Sequence, residues 1–201
     1  MNYAFQDQEN IYLVSELMTG GDLRFHIGNK IRFTQEQCKF MIACLTAALQ
    51  YMHQNCIIHR DIKPENLVFD ANGYLRVTDF GIAKVHQKEN SHETSGTPSY
   101  MAPEVIFKQN HSYESDFYAL GVICHELMLN KRPYKGRTRK ELKEQMLHKK
   151  IKLRPSQRPP GWDLEVIDFI NQCLQRKPCK RLGAGGAAEI MQHGWLRNFD
   201  W

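Results

Sequence analysis

The sequence predicts an α+β fold in which helices dominate, and three observations carry that prediction. Phe40, Met41, Cys44, Leu45, Ala48, Leu49 and Met52 recur at the spacing of one helical face. Residues 117–128 are apolar nearly all round, as a helix buried on every side requires. Residues 67–69 and 74–78 are short apolar runs on either side of Asp70-Ala71-Asn72-Gly73. Asn-Gly between β-prone runs signals a hairpin, because both residues tolerate positive φ.

The other elements follow in chain order. Residues 3–5 and 11–14 read as two strands around a polar turn; two strands alone are marginal in water and need a larger sheet. The second strand runs through Ser15-Glu16-Leu17-Met18-Thr19 into Gly20-Gly21-Asp22. A strand that ends in a double glycine reads as a hinge-like connector. Asp22 stands where a helix N-cap belongs, before Leu23-Arg24-Phe25. Thr34 and Gln37 have capping-box spacing, and Phe33 is placed to staple onto Cys38, so a helix is expected from there to about His53. Residues 82–97 are polar and loop-like. Thr138-Arg139-Lys140-Glu141 is a second capping box, opening a charged helix to about Lys150. The basic run Lys149, Lys150, Lys152 and Arg154 reads as a solvated face, with a docking surface as the second reading. A further helix is expected after Trp162-Asp163, with Val166, Ile167, Ile170, Cys173 and Leu174 turned inward.

Composition sets the bounds. A chain of 201 residues can bury one substantial core, and 42% hydrophobic with 24% charged residues excludes a disordered chain. No apolar run is long enough to span a bilayer, and Met1-Asn2-Tyr3-Ala4 has neither the basic nor the apolar part of a signal peptide. An intracellular, cytoplasmic protein is therefore expected, with the nucleus as a second location. The six cysteines are scattered without a C-x-x-C pair, which reads as free thiols rather than disulfides or zinc ligands. A net charge of +5 is mild and does not argue for nucleic acid. No internal repeat or linker interrupts the chain, and a monomer is expected.

The chemistry concentrates in residues 57–81. The hairpin would carry Asp61 and Asn66 at its front end and Asp79 at its back end, bringing two carboxylates and an amide to one edge. Hard oxygen donors beside a lysine, Lys63, suit Mg²⁺ and a phosphate rather than zinc.

His59-Arg60-Asp61-Ile62-Lys63-Pro64-Glu65-Asn66 resembles the catalytic loop of eukaryotic protein kinases. Asp79-Phe80-Gly81 resembles their metal-binding tripeptide, and Ala102-Pro103-Glu104 the close of their activation segment. Lys63, two residues after Asp61, resembles the serine/threonine branch, and residues 180–201 resemble the end of an AGC-type core. The resemblance covers essentially the whole chain. It implies a mainly helical large lobe over residues 23–201, a hinge at 16–22 and the last two small-lobe strands within 1–15.

It also implies roles. Asp61 would accept the hydroxyl proton, Lys63 would neutralise the transferring phosphate, and Asn66 and Asp79 would hold Mg²⁺. The main chain of Glu16 and Met18 would meet the adenine of ATP, Asp22 the ribose or a substrate arginine, and Val68 the face of the adenine ring. In the activation segment, Thr97 would bridge Asp61 and Lys63. Glu93, at the usual phosphothreonine position, would pair with Arg60 and Lys84. His59 and Phe80 would stack in an apolar spine, Asp116 would fix the loop backbone, and Glu104 would pair with Arg181. Glu65 and Glu126, with Asp22, resemble acids that read an arginine near the acceptor, so basic residues upstream of the target are expected.

The function so implied is transfer of the ATP γ-phosphate to Ser or Thr of protein substrates, with a regulatory protein as a further expected partner. The sequence holds no G-x-G-x-x-G and no V-A-I-K-like lysine, so the 201 residues are expected to be part of a longer kinase product. The second reading is a catalytically impaired large-lobe scaffold that binds partners.

Overall fold

The computed structural model describes residues 1–90, 94–136 and 138–201. Its first strands, β1 (Tyr3–Gln6) and β2 (Ile11–Val14), pair antiparallel with Tyr3 opposite Val14. Asp7 closes their turn by accepting from the Glu9 and Asn10 amides at 2.8 and 2.7 Å. Every residue of both strands is exposed, as expected of a ribbon with no further strand paired to it.

Helix α1 (Leu23–Gly28) begins at Asp22, whose carboxylate accepts the Phe25 amide at 2.8 Å. Helix α2 (Gln35–Gln54) opens on the Thr34–Gln37 capping box, with both reciprocal bonds formed. Short strand β3 (Ile57–Ile58) leads into the loop that carries the polar cluster. Strands β4 (Leu67–Phe69) and β5 (Leu75–Val77) form the expected hairpin, with Leu67 opposite Val77. Its turn differs from an Asn-Gly two-residue loop. Only Gly73 takes positive φ, and Asp70 organises the turn by accepting from the Asn72 and Tyr74 amides. Strand β6 (Lys84–Val85) lies antiparallel to β3, a pairing that two residues per strand do not announce in sequence.

Helix α3 (Pro103–Ile106) starts with proline at its first position, where no N–H is needed. Helix α4 (Glu114–Leu129) is the axis of the lobe: every residue from Ser115 to Met128 is buried. It packs between α2 and α6 (Glu165–Cys173). The approach to α6 is close because Gly121 has no side chain; a Cβ there would lie 2.5 Å from Cys173 Cβ. Helix α5 (Arg139–His148) is capped by Thr138, which accepts the Glu141 amide, and it ends two residues short of the expected Lys150. α6 starts at Glu165, and Val166, Ile167, Ile170, Cys173 and Leu174 are all buried, as the pattern predicts. Helix α7 (Ala187–Gln192) completes the lobe. No helix among the described residues is long and apolar enough to cross a membrane.

Among the buried residues of α4 is a histidine whose protonation is linked to folding. His125 is 4% exposed, and burial pushes its imidazole down to about 4, although its bond with the Lys131 carbonyl opposes this. An unfolded chain takes up this proton near pH 6.5, whereas the folded chain resists it until about pH 4. Stability is therefore highest above pH 6.5 and is lost as pH falls through that window, by roughly 3 kcal/mol in full. His193 acts in the same sense, because burial lowers its pKa too. Urea melts at pH 7 and pH 4.5 are expected to differ by about 2–3 kcal/mol, and His125→Gln to remove most of that difference.

Candidate active site

Three elements converge on Asp116, in the first turn of α4. Its carboxylate accepts the amides of His59 and Arg60, each at 3.0 Å, and meets His53 Nε2 of α2 at 2.9 Å. At 1% exposure it is a buried anchor, and it allows Arg60 to hold φ +68°. This fixes where the loop turns toward Asp61. His53 was not singled out in the sequence; its only signal is its place in the last turn of α2.

Asp61 is held from three directions. Thr97 N donates to Oδ1 at 2.8 Å, Lys63 Nζ to Oδ2 at 2.6 Å, and Asn66 Nδ2 to Oδ2 at 3.3 Å and to the Asp61 carbonyl at 2.9 Å. Lys63 Nζ also donates to Thr97 Oγ1 at 3.0 Å, so Thr97 contacts both Asp61 and Lys63. Burial alone would raise the Asp61 carboxyl, but the Lys63 ammonium and the Thr97 donors outweigh it and hold the group below the usual carboxylate range. Asp61 is thus charged at neutral pH and shielded, yet 9% exposed and open to a small polar group.

The hairpin brings the third oxygen donor alongside. Thr78 N donates to the Asn66 carbonyl at 2.9 Å, which extends the β4–β5 ladder by one step and sets Asp79 just beyond it. Asp79 stands at φ +63°, exposed, with Oδ1 accepting the Gly81 amide at 3.2 Å. Asn66 spends its amide N–H groups on Asp61, which leaves the amide oxygen as the donor for a cation. No group of three His, Cys, Asp or Glu side chains suited to a metal occurs among the described residues. An amide oxygen and a carboxylate fit Mg²⁺, which takes few protein ligands and completes its shell with phosphate oxygens and water. His59 stands behind this edge, its Nε2 bonded to the Thr78 carbonyl at 3.1 Å and its ring 5.4 Å from that of Phe80.

The connector after β2 is tied to the same hairpin. Gly20 N donates to the Phe69 carbonyl and Phe69 N to the Gly21 carbonyl, while Asp22 and Val68 form a β-bridge. A Cβ on Gly20 would lie 2.5 Å from Phe69 Cβ, so glycine is what permits this approach. Val68 therefore lies directly beside the 16–22 segment, in which Glu16 is exposed and Met18 half-buried. Asp22, proposed for ribose or substrate, spends one oxygen capping α1.

The segment between Asp79 and Glu104 is fixed at both ends. Arg60 Nε donates to the Ile82 carbonyl at 2.6 Å, and Lys84 sits in β6. Glu93, the expected partner of Arg60 and Lys84, lies outside the described residues. At the far end Arg181 grips Glu104 with two bonds, Nη1–Oε1 at 2.6 Å and Nη2–Oε2 at 2.8 Å.

Glu65 and Glu126, expected to read a substrate arginine, have an occupant that sequence reasoning missed. Arg24 of α1 donates through Nε to Glu65 Oε1 at 2.9 Å, and through Nη1 and Nη2 to Glu126 at 3.1 and 3.3 Å. Arg24 also bonds the Tyr100 hydroxyl, which donates to Glu126 Oε2 at 2.5 Å. Burial and the Glu126 carboxylate push the Tyr100 hydroxyl far above its usual range. Glu65 and Glu126 are brought together as expected, but with their arginine already supplied.

The site thus sets a charged Asp61 beside Lys63, with the hard oxygen donors of Asn66 and Asp79 along one hairpin edge. The sequence matches the protein kinase domain family over residues 1–196. It is 34% identical over its whole length to human ribosomal protein S6 kinase alpha-6, covering 27% of that protein. A probable serine/threonine-protein kinase of Dictyostelium discoideum is 35% identical with 43% of its length covered, and the putative ribosomal protein S6 kinase alpha-1 of Caenorhabditis elegans 36% with 25% covered. The chain belongs to the protein kinase family, serine/threonine type and AGC-like, and spans about a quarter to two fifths of the length of these relatives.

Proposed function

We propose that the chain is the catalytic core of a kinase that transfers the γ-phosphoryl group of ATP to Ser or Thr hydroxyls of proteins. The observation that supports this most is the Asp61 carboxylate pinned between Thr97 N and Lys63 Nζ, with Asn66 alongside. A scaffold has no use for that arrangement. Asp61 accepts the acceptor hydroxyl proton as the oxygen bonds to phosphorus and the bond from phosphorus to the leaving diphosphate oxygen breaks. Lys63 presents positive charge to the transferring group, and Thr97 keeps both side chains in register. Mg²⁺, when bound, neutralises charge on the phosphate oxygens; Asn66 and Asp79 are the residues that would hold it. The preference for basic upstream residues is not part of this proposal, because Arg24 already occupies Glu65 and Glu126.

The reading is tested by nucleotide binding. A non-hydrolysable ATP analogue titrated into the full-length protein is expected to bind more tightly with Mg²⁺ than without. Asp79→Asn should weaken the Mg²⁺-dependent part by about 10–100-fold. Binding indifferent to Mg²⁺, or none, would favour the scaffold.

A further inference from the structure

The cluster around Arg24 sits beside the reacting centre by direct chain connection. Glu65 lies in the Pro64–Asn66 3₁₀ turn between Lys63 and Asn66, and Tyr100 N donates to the carbonyl of Thr97, the residue that binds Asp61. An acceptor segment that presents its hydroxyl to Asp61 must pass this cluster. Glu126 has 7% side-chain exposure and both oxygens engaged, by Arg24 and Tyr100. An incoming guanidinium therefore finds no free carboxylate at Glu126. It meets instead Arg24, 30% exposed, and Glu65, 45% exposed and bonded to Arg24 through Oε1; the single guanidinium cancels one of the two carboxylate charges and weakens the pair as an arginine site.

The surface next to Glu126 has the opposite character from an arginine pocket. An open groove of about 610 Å³ adjoins it, lined by exposed Lys131, Arg132 and Lys135 just past the end of α4. Facing these three cations are Glu141 and Glu126, the latter paired with Arg24, which also holds Glu65.

We propose that Arg24 is a built-in occupant of the Glu65–Glu126 acid pair, and that with Lys131, Arg132 and Lys135 it makes this kinase select acceptor segments bearing acidic rather than basic side chains. Arg24 is a specificity-determining residue acting through charge, and the groove supplies the attraction. The inference rests on the kinase reading and deepens it.

The test is a positional peptide series around one Ser acceptor, carrying Asp/Glu or Arg at each upstream and downstream position, given to the full-length protein with labelled ATP. Matched peptides with Ala in place of the acceptor Ser are followed in parallel by fluorescence anisotropy, which needs no transfer. Acidic peptides are expected to exceed Arg peptides by about tenfold or more in kcat/KM and in affinity. Arg24→Gln should narrow or invert that ratio, by freeing Glu65 and Glu126 for a peptide guanidinium. Lys131→Glu with Arg132→Glu, both exposed, should lower affinity for acidic peptides alone. Preference of the unaltered protein for Arg peptides would overturn the proposal, as would a ratio unmoved in a folded Arg24→Gln. If Arg24→Gln does not fold, the Lys131→Glu/Arg132→Glu pair decides by itself. Absence of transfer together with the expected anisotropy ratios would sink the kinase reading and leave the acidic selectivity standing.

Discussion

Asp61→Asn is expected to lower kcat by about 10²–10⁴-fold while leaving most of the fold intact, the range for removing a positioned general base. The substitution keeps the size of the side chain but not its acceptor character. Three donors surround the carboxylate: Thr97 N, Lys63 Nζ and Asn66 Nδ2. A carboxamide offers one oxygen to them and turns its own N–H groups toward the remainder. One donor then faces another, at a local cost of about 1–3 kcal/mol. Two measurements separate the effects. The melting transition reports the lost hydrogen bonds, and single-turnover phosphate transfer at saturating nucleotide reports the missing proton acceptor. A rate reduced only in proportion to the unfolded fraction would remove Asp61 from the chemistry. Lys63→Ala is a useful companion, since it releases both Asp61 and Thr97 without touching the proton acceptor.

What was legible in the sequence was what short range decides. The α2 capping box depends on residues three apart, and the all-round apolarity of α4 follows from burial on every side. The hairpin was legible for the same reason, though Asp70 rather than Asn72 proved to shape its turn. Asp61, Asn66 and Asp79 stood out through the motifs that carry them, and the hairpin explains why they share one edge. Contacts set by the docking of separate elements were not legible. The bonds from Gly20 and Gly21 to Phe69 join segments almost fifty residues apart, and nothing local requires them. Arg24 reaches Glu65 across 41 residues and Glu126 across 102. Sequence alone makes it an ordinary first-turn residue of a short helix; only the packing of α1 against the Pro64–Asn66 turn, with Glu126 of α4 within reach, aims it at two acids. Glu65 and Glu126, expected to read a substrate arginine, are brought together around an arginine of the chain itself.

Arg181→Met is expected to destabilise the lobe by about 3–5 kcal/mol, because it strands the Glu104 charge where water cannot reach it. The two side chains are 0% and 2% exposed, and their bonds are bidentate. Joint Arg181→Met/Glu104→Leu should recover part of the loss, since an apolar pair of similar volume removes the uncompensated charge. It should not recover everything. Arg181 also donates to the carbonyls of Glu114 and Gln175 and lies 5.0 Å from the Tyr118 ring, and methionine satisfies none of these. A double-mutant cycle by urea unfolding measures the pair term directly. The pair also bears on the site: Glu104 anchors α3 seven residues after Thr97, whose amide positions Asp61. If that anchor sets the segment, transfer should fall further in Arg181→Met than its folded fraction accounts for, and the double variant should regain stability ahead of rate. Equal recovery of both would make the pair a stabiliser of the lobe with no hold on Thr97.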